Sequence, residues 1–526
     1  MANRKLFQRQ PKITPADTTN LAGGAAYSLT GEEVLAQMAC TGCLNNTFYA
    51  TAENQLDSVV ALASQLPAEF VAQTAIYASQ TGFMKDLPAL LLVCLLNKDT
   101  RIFSAAFEKI VRRARVLRTF IQILRSGKIG RKTVGSSAVR RAVQGWFDRS
   151  TDDQIFAASV GNDPSLSDVI KLAHPRSSTK ERGALLGLLV GNREVQRENL
   201  PTLAQKFLAF KDAAPAVRAG MEIPDVPFLM LTSFDLTKGQ WIDIARSASW
   251  QTTRMNLNTF ARHRVFENTD VVAEIAKKLR DPDEIKRAKV FPYQLLAAFV
   301  NASDDVPSSI KLALQDAMEI ATEQIPAFGK NVYVFVDVSG SMSSPITGAR
   351  GSATTSVKCV DVASLFASAV LRTNPNAVVW PFDTTVHSSK LNPRDSVMTN
   401  SGILRGYGGG GTACSVPMLK LADSKNVADL IIYISDNESW FDDTNKRHRG
   451  TATLEAWERV KRQNPQAKLV CIDLTPNATA QVPNRNDVLN VGGFSDTVFN
   501  VIAGFVSSGG NKNFWVNEIK SVKVFD

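Results

Sequence analysis

The stretch NVYVFVDVSGSM, residues 331–342, decides how the rest of the chain is read. Val332 to Val336 is a run of β-branched and aromatic residues, the kind that fills a strand buried on both faces of a sheet. The run ends at Asp337, and Ser339 and Ser341 follow at alternate positions. One carboxylate and two hydroxyls are thus gathered around a point at the tip of a strand. They are hard oxygen donors, suited to Mg²⁺ and not to a soft metal.

Two later segments extend the set. GGGGTACS, residues 408–415, carries Thr412 on a glycine-rich loop, and LIIYISDNESW, residues 430–440, is a second buried strand ending at Asp436. In an open parallel sheet, ligands bind beyond the carboxyl ends of the strands, where Asp337 and Asp436 would both lie. The five residues Asp337, Ser339, Ser341, Thr412 and Asp436 resemble the metal-ion-dependent adhesion site of the von Willebrand factor A family. Two carboxylates and three neutral hydroxyls leave Mg²⁺ short of its usual six or so oxygens. Such a site is suited to gripping an acidic side chain of a partner.

Enzymatic readings of these residues fail. A dehalogenase-type phosphotransferase needs an aspartate where Ser339 stands. A P-loop needs Gly-Lys-[Ser/Thr], and GGGGTACS has no lysine. Neither Ser339 nor Ser341 has the flanking glycines of a nucleophile elbow. No catalytic residues are expected, and the chain reads as a non-enzyme.

Outward from this lobe the texture changes. From residue 331 to the end, strands alternate with helices, the pattern of a doubly wound α/β sheet. From about residue 30 to 326 the pattern is helical, in amphipathic segments of roughly 10–15 residues with short Pro, Gly or Asn breaks. About three hundred residues of paired helices stack as an α-solenoid, of HEAT type but without a strict period. Residues 1–30 read as an extended arm. The fold class is therefore multidomain, with a helical-repeat domain over 1–326 and an A-type α/β domain over 327–526.

The chain has 526 residues, 44% apolar and 21% charged, which is ordinary for a globular protein of more than one core. No segment has the roughly 18 uninterrupted apolar residues of a membrane span. MANRKLFQRQPKI is basic without an apolar core behind it, so no secretory signal is expected. Six scattered cysteines, with one unaccompanied CxxC at Cys40 and Cys43, point to reduced thiols and a cytoplasmic setting.

The formal charge of +10 is concentrated. Between Arg101 and Ser150 there are thirteen Lys/Arg against two acids, Glu108 and Asp148, so that window alone exceeds the surplus of the whole chain. Such a face is the electrostatic footprint of a phosphate-backbone binder. Its candidate contacts are Arg112, Arg113, Lys128, Arg131, Lys132, Arg140 and Arg141, with Ser136 and Ser137 as caps that leave a helix N-terminus open to a phosphate. Two further stretches mix polar and basic residues. DVIKLAHPRSSTK contains His174, and WQTTRMNLNTFARHRVF contains His263 and places Arg254, Asn258 and Arg262 four apart on one helical face.

KLAHPRS, WQTTRMNLNTFARH and FPYQLLAA, joined to an adhesion-site A domain, resemble the Ro ribonucleoprotein autoantigen family in its bacterial form. The resemblance covers nearly the whole chain. It implies a ring of HEAT-like repeats closed by the A domain. Single-stranded 3′ ends of misfolded or precursor RNA would enter the hole, and structured Y-like RNA would bind the outside. The role would be non-coding RNA quality control and maturation beside an exoribonuclease. His174 in KLAHP would face the cavity, and GKIGRKTVGSSAVRRAVQGWF would carry the outer contacts. One departure stands out. Animal members have a basic stretch before the matching histidine helix, whereas ASVGNDPSLSD here has no lysine or arginine. The cavity contacts then fall on Arg254 and Arg262, or are weaker. The competing reading is a metal-dependent protein-adhesion adaptor on a purely structural helical scaffold, which would have no use for the basic window.

Overall fold

The computed structural model describes residues 13–130, 135–323, 325–349, 357–424, 426–443, 450–495 and 497–525. Its packing divides into two compact units: residues 1–57, 291–297 and 322–519 form one, and residues 58–290, 298–321 and 520–526 the other.

The first unit is built on a parallel sheet. Among the described residues the strands in chain order are β1 (Thr18–Thr19), β2 (Ala25–Ser28), β3 (Val332–Asp337), β4 (Val378–Phe382), β5 (Leu430–Ser435), β6 (Lys468–Asp473), β7 (Thr479–Ala480) and β8 (Val488–Gly492). The main sheet has the order β4-β3-β5-β6-β8, every pair parallel. Every residue of β3 and β5 is buried, as a run apolar on both faces requires. Tyr333, Phe335 and Tyr433 pack on one face with Met418, Leu421 and Trp457. Phe366 and Phe499 meet at 5.0 Å from the helices Cys359–Thr373 and Thr497–Ser507, which pack on the sheet as well. Phe291 and Tyr293 of FPYQLLAA stack on each other at 5.5 Å and touch Phe494, so that motif is an anchor of this unit.

The N-terminal residues depart from the expectation of a plain arm leading into a helical module. β2 pairs antiparallel with both β1 and β7, with Tyr27 opposite Ala480. Helix α1 (Gly31–Thr41), opened by a Thr30–Glu33 capping box, packs on β8. Residues 13–57 thus join the α/β unit. Single-strand periodicity is silent on a pairing made some 450 residues away.

The second unit is helical among its described residues. It runs through α2 (Ala52–Gln65), which begins in the first unit, then α3 (Ala68–Gln80), α4 (Leu87–Leu96), α5 (Thr100–Ile110), α6 (Ala114–Ser126), α7 (Ser137–Arg149), α8 (Asp152–Ala157) and α9 (Leu166–Ala173). α3 packs on α5, α5 on α7 and α7 on α9, while α4 packs on α6, which is the two-layer stacking of a solenoid. LPALLLVCLL of α4 is apolar all round and wholly buried. Phe103, Phe107 and Phe120 form a ring cluster at 5.3–5.7 Å between α5 and α6.

One expected helix is corrected. Residues 252–266 do not form a single helix: Trp250–Met255 and Leu257–Arg262 are separated at Asn256, whose φ of −118° and ψ of 17° leave the helical region. None of the six cysteines forms a disulfide, and all are buried. Among the described residues no helix is long and apolar enough to cross a membrane.

Candidate cation site and nucleic-acid interface

Asp337 and Asp436 lie at and just past the carboxyl ends of the adjacent parallel strands β3 and β5, which brings the two carboxylates to one edge. Both are buried, as are Ser339, Ser341 and Thr412. The Ser339 backbone N–H donates to Asp337 Oδ1 at 2.8 Å, folding the turn back on the carboxylate. Ser435 Oγ donates to Asp337 Oδ2 at 2.6 Å. Ser339 Oγ and Ser341 Oγ stand 3.2 Å apart, and Ser341 and Asp436 line one small space.

The glycine loop docks against this turn. Gly340 N–H donates to Gly410 O at 2.9 Å and Gly409 N–H to Val338 O at 3.1 Å. Gly408 has φ +114°, and a Cβ there would stand 1.9 Å from Val338 O, so the close approach requires glycine. Thr412 O is gripped by the Trp440 and Phe441 N–H groups at 3.2 and 3.0 Å, which fixes the loop beside the strand end bearing Asp436. All five sequence-chosen residues therefore sit in one connected neighbourhood.

Its electrostatics are those of unneutralised charge. Burial raises Asp337, and burial together with the Asp337 charge raises Asp436. Asp383, just past the end of β4, adds a further like charge to Asp337. Glu438 is pushed up to about 8 by burial and then by Asp436. Asp473, at the end of β6 and paired in register with Ser435, is raised by burial and by Glu438. Glu438 Oε1 and Asp473 Oδ1 are buried without a hydrogen-bond partner. Among the described residues no group of three or more His, Cys, Asp or Glu is placed to hold a metal. The donor set here is two carboxylates with hydroxyls, and an edge this rich in buried anionic oxygen fits a hard divalent cation.

Sequence reading missed Ser435, Glu438, Asp473 and Asp383. A signal existed: LVCID also ends a parallel strand on an aspartate. It missed Tyr49 as well. This half-buried phenol lines the same small space as Ser341 and Asp436, and burial, then the Asp436 charge, push it up to about 12.

The basic window folds as α5 to α7. Arg112, Arg113, Arg115, Lys128, Arg140 and Arg141 are exposed, and none has a carboxylate partner among the described residues. Arg131 and Lys132 lie outside the described residues. Three cations of the window are drawn into structure instead. Arg149 pairs with Glu108 at 3.1 Å, Lys109 donates to Lys523 O at 3.2 Å, and Arg118 donates to Ala158 O at 2.9 Å and also to Val160 O. The Ser136 hydroxyl accepts from Val139 N–H and so caps α7 itself.

His174 ends α9 in the left-handed conformation, φ 48°, with an exposed side chain. Gln144 of α7 donates to the Ala173 and His174 carbonyls at 2.8 and 3.1 Å. Because Gln144 lies one turn from Arg140 and Arg141, His174 adjoins the basic face of α7. Between α6 and α9 a cavity of about 260 Å³ is lined by Ile121, Arg125, Asp168, Lys171 and Leu172. Lys171, on the exposed side of α9, is a second cation that the sequence reading passed over.

The second polar stretch is not one face. Arg254 is buried and bonds Gln251. Asn258 uses both ends of its amide on the 301–303 loop, donating to Asn301 O at 2.7 Å and accepting from Ser303 N–H at 2.9 Å. His263 stacks on Trp241 at 3.9 Å and 12°, and burial, then Arg262, lower its pKa. Arg262 alone of the four is an exposed cation.

Residues 331–506 match the family described as the Ro60 vWA domain. The chain is 24% identical over 535 residues to the RNA-binding protein RO60 of Deinococcus radiodurans, covering 94% of this chain and 96% of that one. It is also similar to the crystal structure of the Deinococcus radiodurans RO (RSR) protein, with a TM-score of 0.63 and 20% identity over 91% of this chain and all of that one. Residues 331–506 are thus similar to the Ro60 vWA domain, the chain as a whole resembles the RNA-binding protein RO60 along nearly its full length, and its fold is that of the RO (RSR) protein.

Proposed function

We propose that this protein binds non-coding RNA and holds it without cutting it. The observation that carries the reading is the set of exposed, unpaired cations on the α5–α7 segment: Arg112, Arg113, Arg115, Lys128, Arg140 and Arg141. Unneutralised cations of this density draw phosphate backbones by counterion release. The relative's name, RNA-binding protein RO60, supports it. In its finer form the reading has a structured, Y-like RNA on this face. Single-stranded 3′ ends of misfolded or precursor RNA would lie in a cavity too narrow for a duplex, and an exoribonuclease would act on what is held. A cytoplasmic setting goes with that role. Mg²⁺, or another divalent cation, would be held by Asp337, Ser339, Ser341, Thr412 and Asp436, as an organising ion rather than as a reagent.

The test is to crosslink RNA to the purified protein, sequence it, and measure its affinity over a salt series. The expected result is a discrete set of structured transcripts whose binding falls steeply with salt. Recovery of no RNA above background, or affinity indifferent to salt, overturns the reading.

A further inference from the structure

An adhesion-type cation site needs an open side, through which an outside carboxylate completes the coordination shell. Here that side is covered by the chain itself. The five donor residues are all buried, and the space beside Ser341 and Asp436 is a cavity of about 10 Å³ lined by Leu21, Phe48, Tyr49 and Pro476, of which Leu21 and Phe48 also face solvent. It has room for about one water molecule and none for a partner's side chain.

The cover is not a loose loop. Its two N-terminal segments each hang from a loop that carries a ligand residue. Asn45 Nδ2 donates to Thr347 O at 3.0 Å, and Ala349 N–H donates to Asn46 O at 3.0 Å, tying the residues before Tyr49 to the turn that follows Ser341. Gly348, at φ +69°, packs so closely on Asn45 that a Cβ would meet its side chain at 2.6 Å. Asn20 Nδ2 donates to Ser439 O at 2.7 Å, and Ala22 N–H to Glu438 Oε2 at 3.1 Å, tying the Leu21 turn to the loop that follows Asp436. Gln55 Nε2 holds Asn45 O at 2.7 Å from below. Tyr49 lines the same space as Ser341 and Asp436.

We propose that Tyr49 and the residue 45–50 loop close the cation site from within the chain. The bound ion then staples the N-terminal segment to the carboxyl edge of the sheet, and the site is not a socket for an acidic partner. Tyr49 is the covering residue, placed with Leu21, Phe48 and Pro476 around the space beside Ser341 and Asp436. This goes beyond the RNA-binding reading and rests only on the cation assignment within it.

The experiment uses the full chain and Mn²⁺ as the probe. Calorimetry measures Mn²⁺ affinity, water-proton relaxation reports how freely solvent exchanges at the bound ion, and hydrogen exchange follows residues 45–50. In the wild type, Mn²⁺ should slow exchange of residues 45–50 at least tenfold, and bound-ion relaxation should be low. Tyr49→Ala should raise the relaxation severalfold, remove most of the added protection, and admit acetate to the bound ion. Tyr49→Phe keeps the ring and should hold the site closed to acetate. Wild-type relaxation already as high as that of Tyr49→Ala, or loop exchange indifferent to Mn²⁺, overturns closure while leaving the cation assignment intact. Absence of Mn²⁺ binding in the wild type overturns both, and the RNA measurements are independent of either. The wild-type exchange result stands even if a variant fails to fold.

Discussion

At the scale of single residues, the cation edge stores charge that the fold must offset. The carboxyl of Asp436 is raised to about 7 and that of Glu438 to about 8, whereas both titrate near 4 in an unfolded chain. Between those limits the native state binds more protons than the unfolded one, so metal-free stability falls as pH rises through the window. The metal-free melting temperature should therefore drop from pH 5 to pH 8, and saturating Mg²⁺ should shrink the drop. Scanning calorimetry that shows a metal-free rise over that interval contradicts this account. Asp337→Ala should abolish Mg²⁺ binding by titration calorimetry yet leave RNA affinity within about twofold, because it removes none of the cations of the basic face. The five candidate donor positions stand out in the sequence because each carboxylate closes a short apolar run, and Asp473 carries the same signal at the end of LVCID. Tyr49 and Glu438 carry none, because their places at this edge depend on turns brought together by the fold.

At the scale of elements, the basic helices separate cations that bind from cations that build. Replacing Arg140 and Arg141 with alanine removes two exposed charges of α7 and should reduce the log–log salt slope of RNA binding by roughly 0.7–0.9 for each phosphate left unneutralised. Unchanged affinity and slope in a filter-binding titration would remove α7 from the interface. Arg118→Ala should behave oppositely. It strips the 158–160 carbonyls of their donor, so it should destabilise the helical unit by about 1–3 kcal/mol in urea denaturation with little change in salt slope. Before folding, the two kinds of arginine look alike, since a charge run does not say which members turn inward. Amphipathic stripes mark helices such as Thr100–Ile110 and Ala114–Ser126, while continuous apolar runs mark the buried helix Leu87–Leu96 and the strand Leu430–Ser435. Stripes failed at the helix Lys180–Val190, where KERGALLGLLV has no polar stripe, and at Asn256, where a break interrupts an otherwise helical pattern. The glycine loop makes an element-scale prediction too. Gly408→Ala should lower stability by more than about 2 kcal/mol, since both its φ of +114° and the Val338 carbonyl exclude a Cβ. Circular dichroism melts of the variant check it, and a wild-type melt would refute the strain.

At the scale of the whole molecule, the change of texture near residue 326 was plain in the sequence, and the membership of residues 13–57 was not. Strand β2 and helix α1 carry local patterns that would suit either unit. Only the pairing of Tyr27 with Ala480 and the packing of α1 on β8 assign them. The far end behaves likewise. Gln73 Nε2 donates to Lys520 O and Val522 O at 2.7 and 3.2 Å, so the last residues join the helical unit. The distribution of thiols follows from this division. Cys94 is the sole cysteine of the helical unit, while Cys40, Cys43, Cys359, Cys414 and Cys471 belong to the α/β unit. Since all six are buried, an alkylating reagent reaches a sulfur only when its surroundings open. Pulsed labelling read by peptide mass therefore times the opening of each half separately, with the native cysteines as a built-in two-channel clock.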